Sequence, residues 1–458
     1  MDAFSSVFAV LMLASGLFMT VRLCGFQFTH LGRSLKAVLF PGKSAQKGGG
    51  LTPFEAMASA LGGSVGTANI AGTAGAIALG GPGAVFWMWI AGLIGMAVKF
   101  SEIVLALRFR EKRGGKWIGG PMLYIEKGLG NGRFSKWPAM LFAAFALLCS
   151  AVSTPLVQAN TVGESIGALF AVFLPKAGGT AAKLFSGGLI ALLVGAALLG
   201  GAKRIGRISS RVVPFMAVLY IGCCAAALIR FRSGILPALR AVIGSAFGLR
   251  PAAGGFAGGA MLAAMRVGTA RGVYSNEAGV GSAPMAHACA DTDDPVRQGL
   301  FGIFEVFTDT LVMCTLTALT VLSSGVPLEG SGMAIAHAAF SALLGAKAAG
   351  VFLAASLFLF AYTSILGWSF YGLSCARYLF GERTAPAVCA VTTALCAVGV
   401  FVRTDAVWRL GECLNYLMAC PNMLAVLLLS GVVVREARDY SAMEGQRKTP
   451  PAFCRRGD

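Results

Sequence analysis

Apolar runs long enough to cross a bilayer, about 20 residues each, recur from one end of this chain to the other. In hydrocarbon every backbone N–H and C=O must find an internal partner, which leaves only α-helices and closed barrels. Runs this long, without strict alternation of apolar and polar residues, read as helices. Charge is correspondingly scarce: 13% of residues are charged and the mean hydropathy is +0.74, where a soluble chain carries about 25% charged residues. The expected fold is an all-α integral membrane protein with eleven transmembrane helices. These fall at about 3–24, 53–80, 84–109, 138–172, 181–201, 211–231, 255–289, 298–325, 349–380, 386–402 and 407–434.

The formal net charge of +18 would suggest nucleic-acid binding in a soluble protein. Here the placement of the basic residues decides otherwise. Alternating the connecting segments puts 26 Lys and Arg on the side of segments 25–52 and 110–137, against 9 on the other, with Lys99, Arg266 and Arg271 inside helices. The positive-inside rule then sets the expected topology in the plasma (inner) membrane. The N-terminus lies outside, and the tail bearing Arg435, Arg438, Arg447, Lys448, Arg455 and Arg456 is cytoplasmic. No nucleic-acid partner is expected. Residues 1–24 lack a basic n-region and run into Arg22 and Arg33, so they are expected to remain as a helix and not to act as a cleaved leader. Twelve cysteines without regular spacing and three distant histidines, His30, His287 and His337, suggest neither a disulfide framework nor a metal cluster.

Two glycine-rich apolar segments stand out, residues 60–83 and 254–284. Both contain Val-Gly-Thr-Ala, at Val65–Ala68 and Val267–Ala270. They fall in the second and seventh helices, an odd offset of five, so they cross in opposite directions. That pattern marks an inverted repeat with five helices per half, each half carrying one interrupted helix. Close small-residue packing is the competing explanation for such glycines. The division expected is 1–52, an extra helix and linker; 53–231 and 232–434, the two repeats; and 435–458, the basic tail. The stretch within Val326–Gly350 is expected to form a short interfacial helix.

Longer strings carry a family resemblance. GTANIAG with IALGGPGAVFWMWIAGLIGMAVKFSE, GGPMLYIEKGLG, ARGVYSNEAGVGSAPMAHACADTDDPVRQGLFGIFEVFTDT and SILGWSFYG resemble the alanine or glycine:cation symporter family, over about residues 20–435. The resemblance implies membership of the amino acid–polyamine–organocation superfamily. It further implies a leucine-transporter-type core of ten helices, here preceded by one more. The family's GTGNI reads GTANI here, with Ala68 beside the presumed site, and STILGW reads TSILGW. The function implied is import of alanine or glycine with a co-transported sodium ion. Protons as the coupling ion, or a receptor of the same fold that moves nothing, are the alternatives. No obligatory protein partner is evident, and no HExxH, GxSxG or P-loop pattern points to an enzyme.

A zwitterionic substrate needs donors for its carboxylate and acceptors for its ammonium group. Amides freed at a helix break suit the carboxylate. At the first break these are the amides of Gly66, Thr67 and Ala68, beside Asn69, which either meets the ammonium group or orders the break. The second VGTA offers Gly268 and Thr269. Gln158, by resemblance, contacts substrate, or else bonds between helices. Ser364 and Trp368 share a helix face, and by the family pattern Trp368 walls the pocket. Hard oxygen ligands suit sodium, so Thr363 and Ser364, with carbonyls near Ser64 and Gly66, form the expected ion site. Arg271, Asn276, Glu277, Glu305 and Asp309, with Lys99 and Glu102, are ionisable or polar groups at membrane depth. They are expected either to fasten an inner gate or to bind an ion.

Overall fold

The computed structural model describes residues 2–40, 50–113, 116–174, 176, 178–248, 257–402 and 404–448. Helix α1 (Asp2–Arg22) leads to an amphipathic α2 (Leu31–Leu39). Helix α3 (Pro53–Ser64) starts where Thr52 and Glu55 form a reciprocal capping box with Pro53 at the first turn. After an irregular turn come α4 (Ala71–Gly80) and α5 (Gly83–Arg108). A two-stranded antiparallel ribbon, β1 (Glu111–Arg113) and β2 (Lys116–Ile118), pairs Glu111 with Ile118 and leads into α6 (Pro121–Gly128). Then follow α7 (Arg133–Phe173), α8 (Gly178–Leu198), α9 (Gly201–Arg230) and α10 (Arg232–Ala246). The second half comprises α11 (Ala257–Asn276), α12 (Pro284–His287), α13 (Pro295–Ser324), α14 (Gly332–Leu344), α15 (Ala346–Phe380), α16 (Ala385–Gly399), α17 (Thr404–Leu428) and α18 (Ser430–Lys448).

Among the described residues seven helices are long and apolar enough to cross a membrane: α5, α7, α8, α9, α13, α15 and the Trp408–Leu428 part of α17. They coincide with seven of the eleven expected spans. The remaining four are α1, the two interrupted helices, and the 15-residue α16. Some expectations need correction. The span expected at 211–231 starts earlier, at Gly201, and α10 occupies a connection not expected to be helical. The stretch expected as an interfacial helix is α14, capped where the Ala334 N–H donates to Ser331 Oγ. The basic tail continues as α18 to Lys448, while Arg455 and Arg456, like Gly254–Phe256 of the second glycine-rich segment, lie outside the described residues.

The first expected break is present: α3 ends at Ser64 and α4 begins at Ala71, with a tight turn at Thr67–Asn69 between them. The second lies elsewhere than expected. Helix α11 runs unbroken through Val267–Ala270 and unwinds only after Asn276. There Glu277, Gly279 and Gly281 take φ of 55°, 85° and 86°, left-handed values that a helix cannot continue through. Gly268 is instead a packing position, because a Cβ there would sit 2.2 Å from the Ala84 carbonyl oxygen and 2.8 Å from Trp87 Cβ. Helices α11 and α13 lie along α5, whereas α15 packs on α3, α7 and α9, so the two breaks face each other at the centre. The half of α11 before its break lies against α4, and α12 lies against α3.

Candidate functional site

Between the two breaks lies a small pocket of about 30 Å³, on a measure by which one water needs about 10–15 Å³. Its floor is the unwound turn, Ser64, Gly66, Thr67 and Ala68, and its walls carry Gln158, Ser364, Trp368 and Glu277. These eight are residues singled out from the sequence. The pocket also takes in Ser153, Tyr274 and Asn415, which sequence reasoning missed. Ser153 sits in a π-helical turn, Cys149–Ser153, that interrupts α7. Such turns are rare and cluster at functional sites; the sequence signal that could have found it is Pro155, which has no N–H to continue the α-helical ladder.

Helix α15 reaches the turn because Gly367 lets it cross α3 closely: a Cβ at Gly367 would lie 2.7 Å from Gly63 Cα. That contact brings Ser364 Oγ within 3.0 Å of the Gly63 carbonyl oxygen, to which it donates, and 3.2 Å from the donating Gln158 Nε2. Two buried polar atoms here, Gln158 Oε1 and Thr67 Oγ1, have no hydrogen-bond partner among the described residues. Buried polar atoms are ordinarily paired, so these two are acceptors suited to a ligand. Trp368 Nε1 donates to Glu277 Oε1 at 2.8 Å, and Ser282 Oγ donates to Glu277 Oε2 at 2.5 Å, which holds both the indole and the carboxylate against the pocket.

Several predicted residues lie off the pocket. Asn69 stands behind the turn and orders it: the Gly66 N–H donates to Asn69 Oδ1 at 2.9 Å, and Asn69 Nδ2 donates to Asp309 Oδ1 at 2.7 Å. The Gly66 amide is therefore engaged and does not face a ligand. The Thr363 hydroxyl donates along its own helix, to Leu359 O at 3.0 Å, and also lies 3.4 Å from Met216 Sδ. It therefore does not join Ser364 at the turn. Ser64 does line the pocket, but its hydroxyl bonds back to Leu61 O at 3.3 Å, so only its backbone remains for the expected carbonyl ligand. Gly268 and Thr269 belong to the packing seam; Thr269 borders a crevice beside Met12 and Val98.

The ionisable groups divide between two ends. Asp309, in the π-helical stretch Phe307–Cys314, accepts from Asn69, from Ser275 Oγ at 2.7 Å and from Thr310 Oγ1 at 2.9 Å. Lys99 Nζ donates to the Asn276 carbonyl at 2.9 Å and stands 4.0 Å from Glu305 Oε2. Glu305 Oε1 meets His287 Nε2 at 2.6 Å, and Gln298 Nε2 meets His287 Nδ1 at 2.8 Å. With Gln298 as the donor, His287 carries its hydrogen on Nε2 and gives it to Glu305. Gln298 also reaches the Pro53 carbonyl at 3.3 Å, which ties α13 to the start of α3. Glu102 accepts from Asn422 Nδ2 at 2.5 Å, and Asn422 holds the Gly279 carbonyl at 2.9 Å.

Arg271 is not part of that assembly, contrary to the expectation of one shared gate. It pairs with Glu412 at 3.3 Å on the α4 side of the pocket, next to the Tyr274–Trp408 ring contact at 5.8 Å. The two ends differ in sealing: Arg271 and Glu412 are 26% and 20% exposed, Lys99 and Glu305 0% and 1%. Past the α3 end, Arg110 donates to the carbonyls of Ala288, Ala290 and Thr292 and stacks over Trp117 at 3.9 Å. Burial lowers its pKa from the usual value, with Asp293 opposing.

Two interrupted helices facing each other around a buried polar pocket, with an ion pair toward each end, define a membrane carrier built around helix breaks. The chain belongs to the sodium:alanine symporter family, which it matches over residues 2–454. It is therefore a multi-pass membrane transporter, an amino-acid–cation symporter and not an enzyme. It is 36% identical to the sodium/alanine symporter AgcS of Methanococcus maripaludis, over 94% of this chain and 93% of that protein. It is also 36% identical to the probable sodium/glutamine symporter GlnT of Bacillus subtilis, over 97% and 90%. The crystal structure of MhsT in complex with L-phenylalanine superposes with a TM-score of 0.60 at 14% identity, covering 85% of this chain and 90% of that one. That likeness establishes a leucine-transporter-type fold.

Proposed function

We propose that this protein imports a small neutral amino acid, alanine or glycine, in symport with sodium by alternating access. The pocket carries this reading: it is small, it lies at a helix break, and it presents unpaired acceptors to its interior. The carboxylate sits at the Thr67 and Ala68 amides, in the turn that leads into the N-terminus of α4, whose dipole favours an anion. The ammonium group donates to Gln158 Oε1 and Thr67 Oγ1. Trp368, fixed by its bond to Glu277, limits side-chain length. Sodium takes the Ser364 hydroxyl and the Gly63 carbonyl as oxygen ligands, beside the substrate carboxylate. The relatives named for sodium with alanine and with glutamine favour this ion while leaving side-chain size to the pocket.

The basic-residue asymmetry supports placing the α3 end in the cytoplasm and the N-terminus outside. On that topology Arg271–Glu412 closes the outer path, and Lys99, Glu305 and His287 close the inner one. A second reading, proton coupling, is favoured by the Glu277 carboxylate in the pocket wall.

Uptake of labelled L-alanine and glycine into proteoliposomes, under imposed sodium or proton gradients, tests both readings. Sodium-driven accumulation that Ser364→Ala and Gln158→Ala abolish is the expected result. Accumulation that ignores sodium, follows a proton gradient and disappears in Glu277→Gln replaces sodium with protons. Binding without flux under either gradient overturns transport itself.

A further inference from the structure

Between Glu164 and Glu277 the sequence contains no acidic residue, yet it carries twelve Lys and Arg. Four of these, Lys203, Arg204, Arg207 and Arg211, share one exposed face at the start of α9. Among the described residues none of the four has a carboxylate partner. The cluster is not part of the pocket, which no residue of α9 lines; Val213 and Met216, deeper in the fold, pack on Gly62 and Thr363.

Immediately beside the cluster, α8 and α16 part to leave an open groove of about 650 Å³. It is lined by Leu198, Leu199, Pro386, Cys389, Ala390 and Thr393. Its one hydroxyl, on Thr393, donates to the Cys389 carbonyl at 2.8 Å, so its hydrogen is already used and the lining is mainly apolar. The groove ends where Gly195 meets Thr393; a Cβ on Gly195 would lie 3.1 Å from Thr393 Cγ2. At the other end Leu199 is 88% exposed, and the Arg204 stem folds over Gly200 at the first turn of α9. The N-terminal end of that helix adds positive potential at the same place. Arg383, also exposed, precedes the α16 rim of the groove, beside Glu382, whose carboxylate pairs with Arg377 at 3.1 Å.

We infer that this face binds one anionic glycerophospholipid, an acyl chain lying in the α8–α16 groove and the phosphate held by Lys203, Arg204 and Arg207. The pairing of a mainly apolar slot with a basic mouth whose Lys203, Arg204 and Arg207 have no carboxylate partner among the described residues, in a protein surrounded by lipid, selects this occupant by charge complementarity. A neutral lipid satisfies the slot alone, and a free anion satisfies the mouth alone. The site stands apart from the transport pocket and does not rest on the substrate assigned above.

The test uses the full-length protein, delipidated in detergent and given phosphatidylglycerol, phosphatidylcholine or inorganic phosphate. Retained lipid is counted by native mass spectrometry and the unfolding temperature is followed by tryptophan fluorescence. Phosphatidylglycerol is expected to bind one per chain and raise the unfolding temperature, with the other two doing neither. Changing Lys203, Arg204 and Arg207 to Gln should weaken binding about a hundredfold, at about fivefold per charge. Ala390→Trp, which fills the groove and leaves the charges, should also lose binding while keeping the basal unfolding temperature. Equal binding of phosphatidylcholine, an equal shift with phosphate, or undiminished binding by the triple variant or by Ala390→Trp overturns the proposal.

Discussion

The same four residues, Val-Gly-Thr-Ala, are unwound at 65–68 and helical at 267–270. At the first copy the following residue is Asn69. Its amide oxygen takes the Gly66 N–H that the helix gives up, and its amide nitrogen is anchored by buried Asp309. Gly66 can then sit at φ −140°, ψ −160° without orphaning its donor. At the second copy the corresponding residue is Arg271, which reaches away to Glu412. Gly268 there presses against the Ala84 carbonyl, and that close crossing favours a straight helix. A break is therefore stable where side chains from elsewhere replace the lost helical bonds. The true second break follows the same logic with different parts: Lys99 takes the Asn276 carbonyl, while Asn276 Oδ1 takes the Ala278 N–H at 2.9 Å.

One break leans on a buried ion and the other on a neutral amide, so their substitutions should differ in size. Lys99→Met removes the cation beside Glu305 and frees the Asn276 carbonyl, which should cost about 3–5 kcal/mol. Equilibrium unfolding in nanodiscs measures it, and an unchanged stability would remove Lys99 from the second break. Gly268→Ala should destabilise by about 3 kcal/mol, because the added methyl meets backbone. Gly66→Ala should fold normally, since the nearest atom to its new Cβ is Gln158 Nε2 at 3.4 Å, and should instead lose uptake. If both fold, or both fail to fold, the two copies of the tetrapeptide are not distinguished as described.

Asn69→Ala should cost about 2 kcal/mol, the penalty of an unpaired buried N–H, and abolish uptake with it. Asn69→Asp should not restore uptake, because it faces one carboxylate with another; full activity in that variant would contradict the Asp309 contact. The smallest effect is expected from Ala68→Gly, under about 1 kcal/mol in stability. By widening the floor it should let uptake extend to serine or a longer neutral side chain, read from competition against labelled alanine. An unaltered competition profile would mean that Ala68 does not set substrate size.

The pocket was partly legible because helix breaks for a zwitterion demand small residues and amides in apolar surroundings. Gly66, Thr67, Ala68, Gln158, Ser364 and Trp368 stood out on that ground or by resemblance, and the structure gathers them around one cavity. Tyr274 and Asn415 did not, since each lies in an ordinary helical stretch and becomes a wall residue only through the crossing of α11 and α17. Thr363 looked equivalent to Ser364 in sequence, but one residue turns a helix by about 100°, enough to send its hydroxyl toward Met216 instead of the turn.

What the sequence by itself determined is what bilayer transfer energetics read residue by residue: an all-helical membrane protein, nearly all its spans, and a family. Those follow from local composition, since hydrocarbon penalises each polar group wherever it sits. Only the tertiary structure decided where α11 breaks, that Arg271 and Lys99 serve opposite ends of the pocket, and that Asn69 supports the turn without lining it. Each of these depends on which distant donor meets which acceptor. The 2.7 Å contact between Asn69 and Asp309 joins residues 240 positions apart, and no local pattern of residues encodes such a distance.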